Sequence, residues 1–160
     1  MFRRGFGGQT NASDLLSSRL YDQDTFYEAF TRDLGCCRDE VIIESPFITG
    51  KRIASLLPIF SKMRSRGVKI TINTRPTAMH EPPFDYQAER AIEDLQAIGI
   101  KVLITGGHHR KLAIMDRRVF YEGSLNILSQ NDSCEIMRRI DSQQLAQQMI
   151  GFIKIDKFLR

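Results

Sequence analysis

The chain has 160 residues, 42% hydrophobic and 26% charged, the make-up of a soluble globular domain large enough to bury a core. Its net charge of +4 and pI near 9.1 lean toward anionic partners, although charge alone does not separate a nucleic-acid binder from any basic soluble protein. No apolar run is long enough to span a bilayer, and residues 1–8 lack the apolar stretch and cleavage site of a signal peptide, so a cytoplasmic protein without membrane partners is expected.

Cys36, Cys37 and Cys134 form neither a disulfide framework nor a zinc-ligand spacing and read as reduced thiols. Residues 1–12 are Gly-rich, polar and aperiodic, which predicts a flexible arm ahead of one domain over residues 13–160. A first helix starts near Asp24, where Thr25 and Glu28 have capping-box spacing and Phe26, Phe30 and Leu34 form an apolar stripe. Val41 to Ser45 reads as a buried strand stopped by Pro46. A second helix is expected from about Ser55 to Arg66, with Pro58 in its first turn and Gly67 as its stop.

Val68 to Thr74 alternates at period two, a strand, and Pro76 to Pro83 reads as a loop. A third helix runs from about Asp85 to Ile98, ends at Gly99, and leads into the strand Ile100 to Ile104. Strand, helix, strand, helix, strand implies parallel neighbours. The pattern then changes: Lys111 to Met115 and Arg118 to Glu122 form a hairpin about Asp116, Glu135 to Ile140 adds a strand, and a helix follows from Ser142. The predicted fold class is α/β, a mixed, mainly parallel β-sheet flanked by helices, with no internal repeat.

Chemistry concentrates between Gly106 and Asp116. Residues two apart on a strand share a face, so His109 and Lys111 point the same way. An imidazole beside a fixed cation suits attack on a phosphodiester, because the cation offsets phosphate charge while the ring bonds phosphorus. Downstream, Gly123 permits close backbone approach, and Ser124 and Asn126 offer neutral donors beside expected helix N-terminal amides. His108 faces the other way and has no catalytic role, while His80 reads as a surface loop histidine. No metal site emerges, and no cofactor is expected.

His109-x-Lys111 followed by Asp116, then Gly123-Ser124-x-Asn126, resembles the signature of the phospholipase D superfamily. Ile43 to Ile48 and Arg66 to Ile72 resemble the first half of a phospholipase D-like domain, and with Glu135 and the C-terminal helix the likeness covers roughly residues 20–155. The resemblance implies His109 as nucleophile and Lys111 and Asn126, helped by Ser124, as holders of the phosphate oxygens. Glu135 is similar to the acid that orients the imidazole, and Asp116 is mainly a structural carboxylate at its turn. It further implies metal-free chemistry in which two motifs meet at one site. The chain carries one motif and no second His-x-Lys, so a homodimer would complete the site.

The superfamily embraces lipid hydrolases, phosphatidyl transferases and nucleases, so the motif fixes the bond more firmly than the substrate. Short length, basic charge, the absence of Trp and the arginines Arg110, Arg117, Arg118, Arg138 and Arg139 favour nucleic acid, DNA ahead of RNA. For those arginines a solvated rim is the plainer reading. The expected activity is therefore that of a metal-independent endonuclease, free of any cofactor and open to a larger DNA-processing or defence complex. Phospholipase or phosphatidyl transferase activity, or a non-catalytic nucleic-acid-binding module, are the alternatives.

Overall fold

The computed structural model describes residues 17–129 and 132–159, and the N-terminal arm expected over residues 1–12 lies outside them. Seven strands, β1 (Ser18–Asp22), β2 (Glu40–Glu44), β3 (Lys69–Thr74), β4 (Lys101–Ile104), β5 (Leu112–Met115), β6 (Val119–Gly123) and β7 (Ile136–Asp141), form one sheet. Five helices accompany it: α1 (Phe26–Cys36), α2 (Gly50–Ser65), α3 (Phe84–Ala97), α4 (Gln143–Ile153) and the short α5 (Asp156–Leu159).

The strand order is β1-β7-β6-β5-β2-β3-β4. The sheet is mixed and flanked by helices, as expected, but parallel pairing is confined to β2–β3–β4. The pairings β5–β2, β6–β5, β7–β6 and β1–β7 are antiparallel, because a tight hairpin after β5 replaces the helical crossovers of the first half.

Strand alternation divides the core in two. Val41 and Ile43 join Phe26, Phe30, Leu34, Leu56, Phe60 and Leu95 of α1, α2 and α3 on one face. Ile42, Leu112, Ile114 and Phe120 meet Ala146 and Ile150 of α4 on the other. Among the described residues, no helix is long and apolar enough to cross a membrane.

Three local expectations change. The Thr25–Glu28 capping box is absent: the Asp22 carboxylate instead accepts the Thr25 N–H at 2.9 Å and its hydroxyl at 2.6 Å. Helix α2 starts at Gly50, and Pro58 lies inside it. Pro58 and Ala54 are both exposed, so the carbonyl deprived of its partner can face water, while Ile53, Leu56, Phe60 and Met63 bury the opposite side. Ser18–Asp22, not anticipated, is a strand at the margin of the sheet, paired with β7.

Candidate active site

The register brings distant segments to one end of the sheet. Glu44 pairs with Leu112, Leu112 with Glu122, Gly123 with Met137, and Ile136 with Asp22. The ends of β1, β2, β3 and β6 therefore adjoin the starts of β5 and β7. This is also the carboxyl end of the parallel strands beside the reversal of strand order, where open α/β sheets bind ligands.

His109 and Lys111 occupy the extended run into β5, and both point away from the core. The Lys111 Nζ stands 3.2 Å from His109 Nε2 and 3.0 Å from the His109 carbonyl oxygen. An ammonium group only donates, so the imidazole nitrogen facing it presents a lone pair. Burial pushes the Lys111 pKa down, the Arg75 cation adds to that shift, and the Glu135 carboxylate opposes it.

The alternate positions, His108 and Arg110, lie toward Glu44, His108 buried and Arg110 half-exposed. The Glu44 side chain is fully buried and takes a bidentate bond from Arg110, with Nη2 to Oε1 at 2.9 Å. Asn73 Nδ2 donates to the same carboxylate at 3.0 Å, Thr105 donates to Asn73 Oδ1 at 2.8 Å, and the buried His108 Nε2 lies 3.7 Å from Glu44 Oε2. Burial disfavours the Glu44 charge, but the hydrogen bonds from Arg110 and Asn73, with the His108 ring close by, outweigh it and bring its pKa down to about 2. The residue between His109 and Lys111 is thus clamped to the core, which fixes the backbone that aims both side chains outward.

After β6 the chain forms turns rather than the expected helix, so its amides are not a helix N-terminus. Gly123 does serve close backbone approach, against β7: a Cβ there would lie 2.1 Å from the Ile136 oxygen. Ser124 exchanges bonds with Ile136, accepting its N–H at 3.1 Å and donating its own N–H to the carbonyl at 3.0 Å. Ser45 Oγ accepts the Leu128 N–H at 3.1 Å, and Tyr27 donates to the Ile127 carbonyl at 2.8 Å, pinning the loop. Within it, Asn126 Oδ1 is buried without a hydrogen-bond partner among the described residues. Such an atom is costly to leave unpaired, and because it only accepts, the Asn126 amide could meet a phosphate oxygen only through Nδ2.

Glu135 precedes β7 at the same end. The Ser124 and Ser133 hydroxyls, then the Lys111 charge, hold its carboxyl below the usual carboxylate range. Ser133 donates to it at 2.6 Å. No hydrogen bond joins Glu135 to His109 of the same chain among the described residues. Glu135, Asn126, Gln23, Tyr27 and Arg52 line a cleft of 310 Å³.

Asp116 belongs to the opposite end of the sheet. Its carboxylate accepts N–H bonds from Arg38 at 2.9 Å, Asp39 at 2.8 Å and Glu40 at 3.0 Å. Burial opposes its charge, yet these bonds leave the carboxyl below its ordinary value. It therefore ties a neighbouring loop as well as its own turn. Arg117 pairs with Glu40 and Asp156, and Arg118 with Asp141, at that far end. Arg139 turns to Asp33 beneath the sheet. Of the five arginines, Arg110 and Arg138 share a surface groove with Lys111.

Two other cations reach the site without having been singled out. Arg75 directly follows β3, and Arg52 lies over the Tyr27 ring, its Cζ 3.5 Å from the centroid; each has a buried Nε without a hydrogen-bond partner. For Arg75 the available signal was its place just beyond the carboxyl end of a parallel strand. His80 is no surface histidine: it is only 6% exposed, its ring packed on Phe47. Among the described residues, no group of three or more His, Cys, Asp or Glu is placed to hold a metal ion.

A seven-stranded mixed sheet flanked by helices is the phospholipase D class of fold, and the imidazole–ammonium pair lies at one end of it. The family described as "Cardiolipin synthase, PLD-like domain" matches residues 30–155, and the chain belongs to it. No curated protein matches significantly. Among solved structures, Nuc, a phospholipase D family member from Salmonella typhimurium, is similar with a TM-score of 0.71 at 14% identity, over 85% of this chain and 90% of that one. NucT from Helicobacter pylori gives 0.67 at 21% identity, over 86% and 92%. TrmBL2, an archaeal chromatin protein with a novel mode of DNA binding, gives 0.60 at 13% identity, over 88% and 52%.

Proposed function

We propose that this protein is a metal-independent phosphodiesterase that cleaves nucleic acid through a phosphohistidine on His109, working as a homodimer with one motif from each chain. The observation that carries this reading is the 3.2 Å contact between Lys111 Nζ and His109 Nε2 at the ligand-binding end of the sheet. The Nε2 lone pair attacks phosphorus, a P–N bond forms, and the P–O bond to the departing strand breaks. The departing oxygen takes a proton from the partner subunit's His109. That residue then removes a proton from water, which attacks phosphorus, breaks the P–N bond and frees His109.

Lys111, Asn126 and Ser124 offset the charge on the non-bridging oxygens, and Glu135 holds Lys111 in its charged form. Basic charge and the resemblance to a DNA-binding chromatin protein support nucleic acid. The matching family's description favours a second reading, phosphatidyl transfer or phospholipid hydrolysis. The test incubates the purified chain, with EDTA present, with labelled oligonucleotides and with labelled phospholipid. Oligonucleotide cleavage that yields acid-labile phosphate on His109 supports the proposal. Loss of cleavage restored by Mg²⁺, phospholipid turnover alone, or full activity in a monomer overturns it.

A further inference from the structure

A second cavity, of 470 Å³, adjoins the phosphate-binding residues and is lined by Phe47, Ile48, Met79, His80, Phe84 and Asn126. Asn126 lines the active-site cleft as well, so the two spaces share a wall. Phe47, His80 and Phe84 give the second its planar surfaces, and Glu81, Thr49 and Ser129 add polar ones. Phe47 packs on the His80 ring with centroids 5.2 Å apart, and at the rim Phe84 and Met79 remain 49% and 53% exposed.

The wall also holds a polar atom with nothing to bond. The His80 side chain is buried, Nε2 faces the Pro46 oxygen at 3.4 Å, and Nδ1 has no hydrogen-bond partner among the described residues. Arg75 connects this space to the reaction centre. Its guanidinium carbon lies 5.5 Å from the Phe47 ring centroid, and its charge acts on both His80 and Lys111.

We propose that this cavity receives the unstacked base of a nucleotide next to the scissile phosphate, so that the substrate is single-stranded or locally unpaired nucleic acid. The proposal rests on the nuclease reading given above. A flat heterocycle with polar edges matches three features found here: aromatic faces for stacking, a cation beside them, and a ring nitrogen without a hydrogen bond among the described residues. An acyl chain would leave the His80 nitrogen unpaired. A base within a duplex is already stacked and paired, and reaching the cavity would require flipping it out. The volume falls in the range of small-ligand sites, about 300–1,000 Å³.

The test uses the full chain and three substrates in chelator: a single-stranded oligonucleotide, its duplex, and the same single strand with one abasic position. The single strand should be cut faster than the duplex, and the linkages flanking the abasic position should be cut about tenfold more slowly than in the intact strand. Met79→Ala/Phe84→Ala trims two half-exposed side chains and should raise KM for the single strand about tenfold. Equal cutting beside the abasic position and an unchanged KM in the variant overturn the base cavity while the nuclease reading stands. No cleavage of any oligonucleotide, with or without turnover of phospholipid vesicles, overturns the nuclease reading and this proposal with it.

Discussion

At the end of the sheet where β5 turns into β6, Asp116, Arg117 and Arg118 are all held by partners: backbone N–H groups for the carboxylate, and Glu40, Asp156 and Asp141 for the guanidinium groups. At the other end, His109 and Lys111 face each other, and Asn126 Oδ1 and Arg75 Nε have no hydrogen-bond partner. Both ends are rich in polar side chains, but at one they are paired within the fold, while at the other several are left without a partner among the described residues. Charge count along the chain does not reveal that difference; strand register does.

The comparison breaks most severely with His109→Ala. Cleavage should fall on the order of 10⁴-fold or more, as for loss of a covalent nucleophile, with the unfolding midpoint little changed because the side chain is exposed. Steady-state rates and a denaturant melt check both halves, and retained activity would remove His109 from the mechanism. Glu44→Ala should come next, costing about 2–3 kcal/mol of stability, toward the lower side for a broken buried pair because Arg110 is half-exposed and can turn to water. Urea unfolding measures that loss, and an unchanged midpoint would show that the clamp under the motif holds nothing.

The same carboxylate sets a pH dependence. Its folded pKa of about 2 lies below the unfolded value, so its contribution is complete above the unfolded pKa, and it is lost as pH falls toward the folded one. Stability measured from pH 6 down to 3 should decline once the unfolded pKa of about 4.3 is passed, and Glu44→Gln should flatten that part of the curve. Asp116→Ala deprives three N–H groups of their acceptor and should cost about 2 kcal/mol, read as a lower thermal midpoint. A larger fall in kcat than in stability would move Asp116 from scaffold to chemistry. The smallest effect is expected for Arg118→Ala, which should leave the thermal midpoint nearly unchanged, since the guanidinium of that ion pair is exposed to solvent.

Much of this was legible in the sequence because it depends on periodicity. The alternation that sets His109 and Lys111 outward also sends His108 and Arg110 in, and both inward residues meet Glu44. Strands β2 to β6 and helix α3 follow from apolar pattern and glycine stops. Glu44 could not be recognised as the clamp, since its partners come from β3 and the run before β5, which are joined to it only by sheet register. The start of α2 was obscured by Pro58, whose cost depends on which side of the helix meets water. His80 sits in a stretch rich in proline and polar residues and is buried only because Phe47, from another loop, covers it. Strand β1 has no apolar run of its own and owes its extended form to β7.

That last pairing sets an order on assembly. Among the described residues, the first strand finds its place only against the last, and β7 also carries Glu135 at its entrance. Contacts between such distant parts of a chain are slow to form. A chain halted before β7 would hold the imidazole, the ammonium and Glu135 but leave β6 bare and Glu135 without the strand that seats it, so this end of the sheet is complete only when its final strand closes.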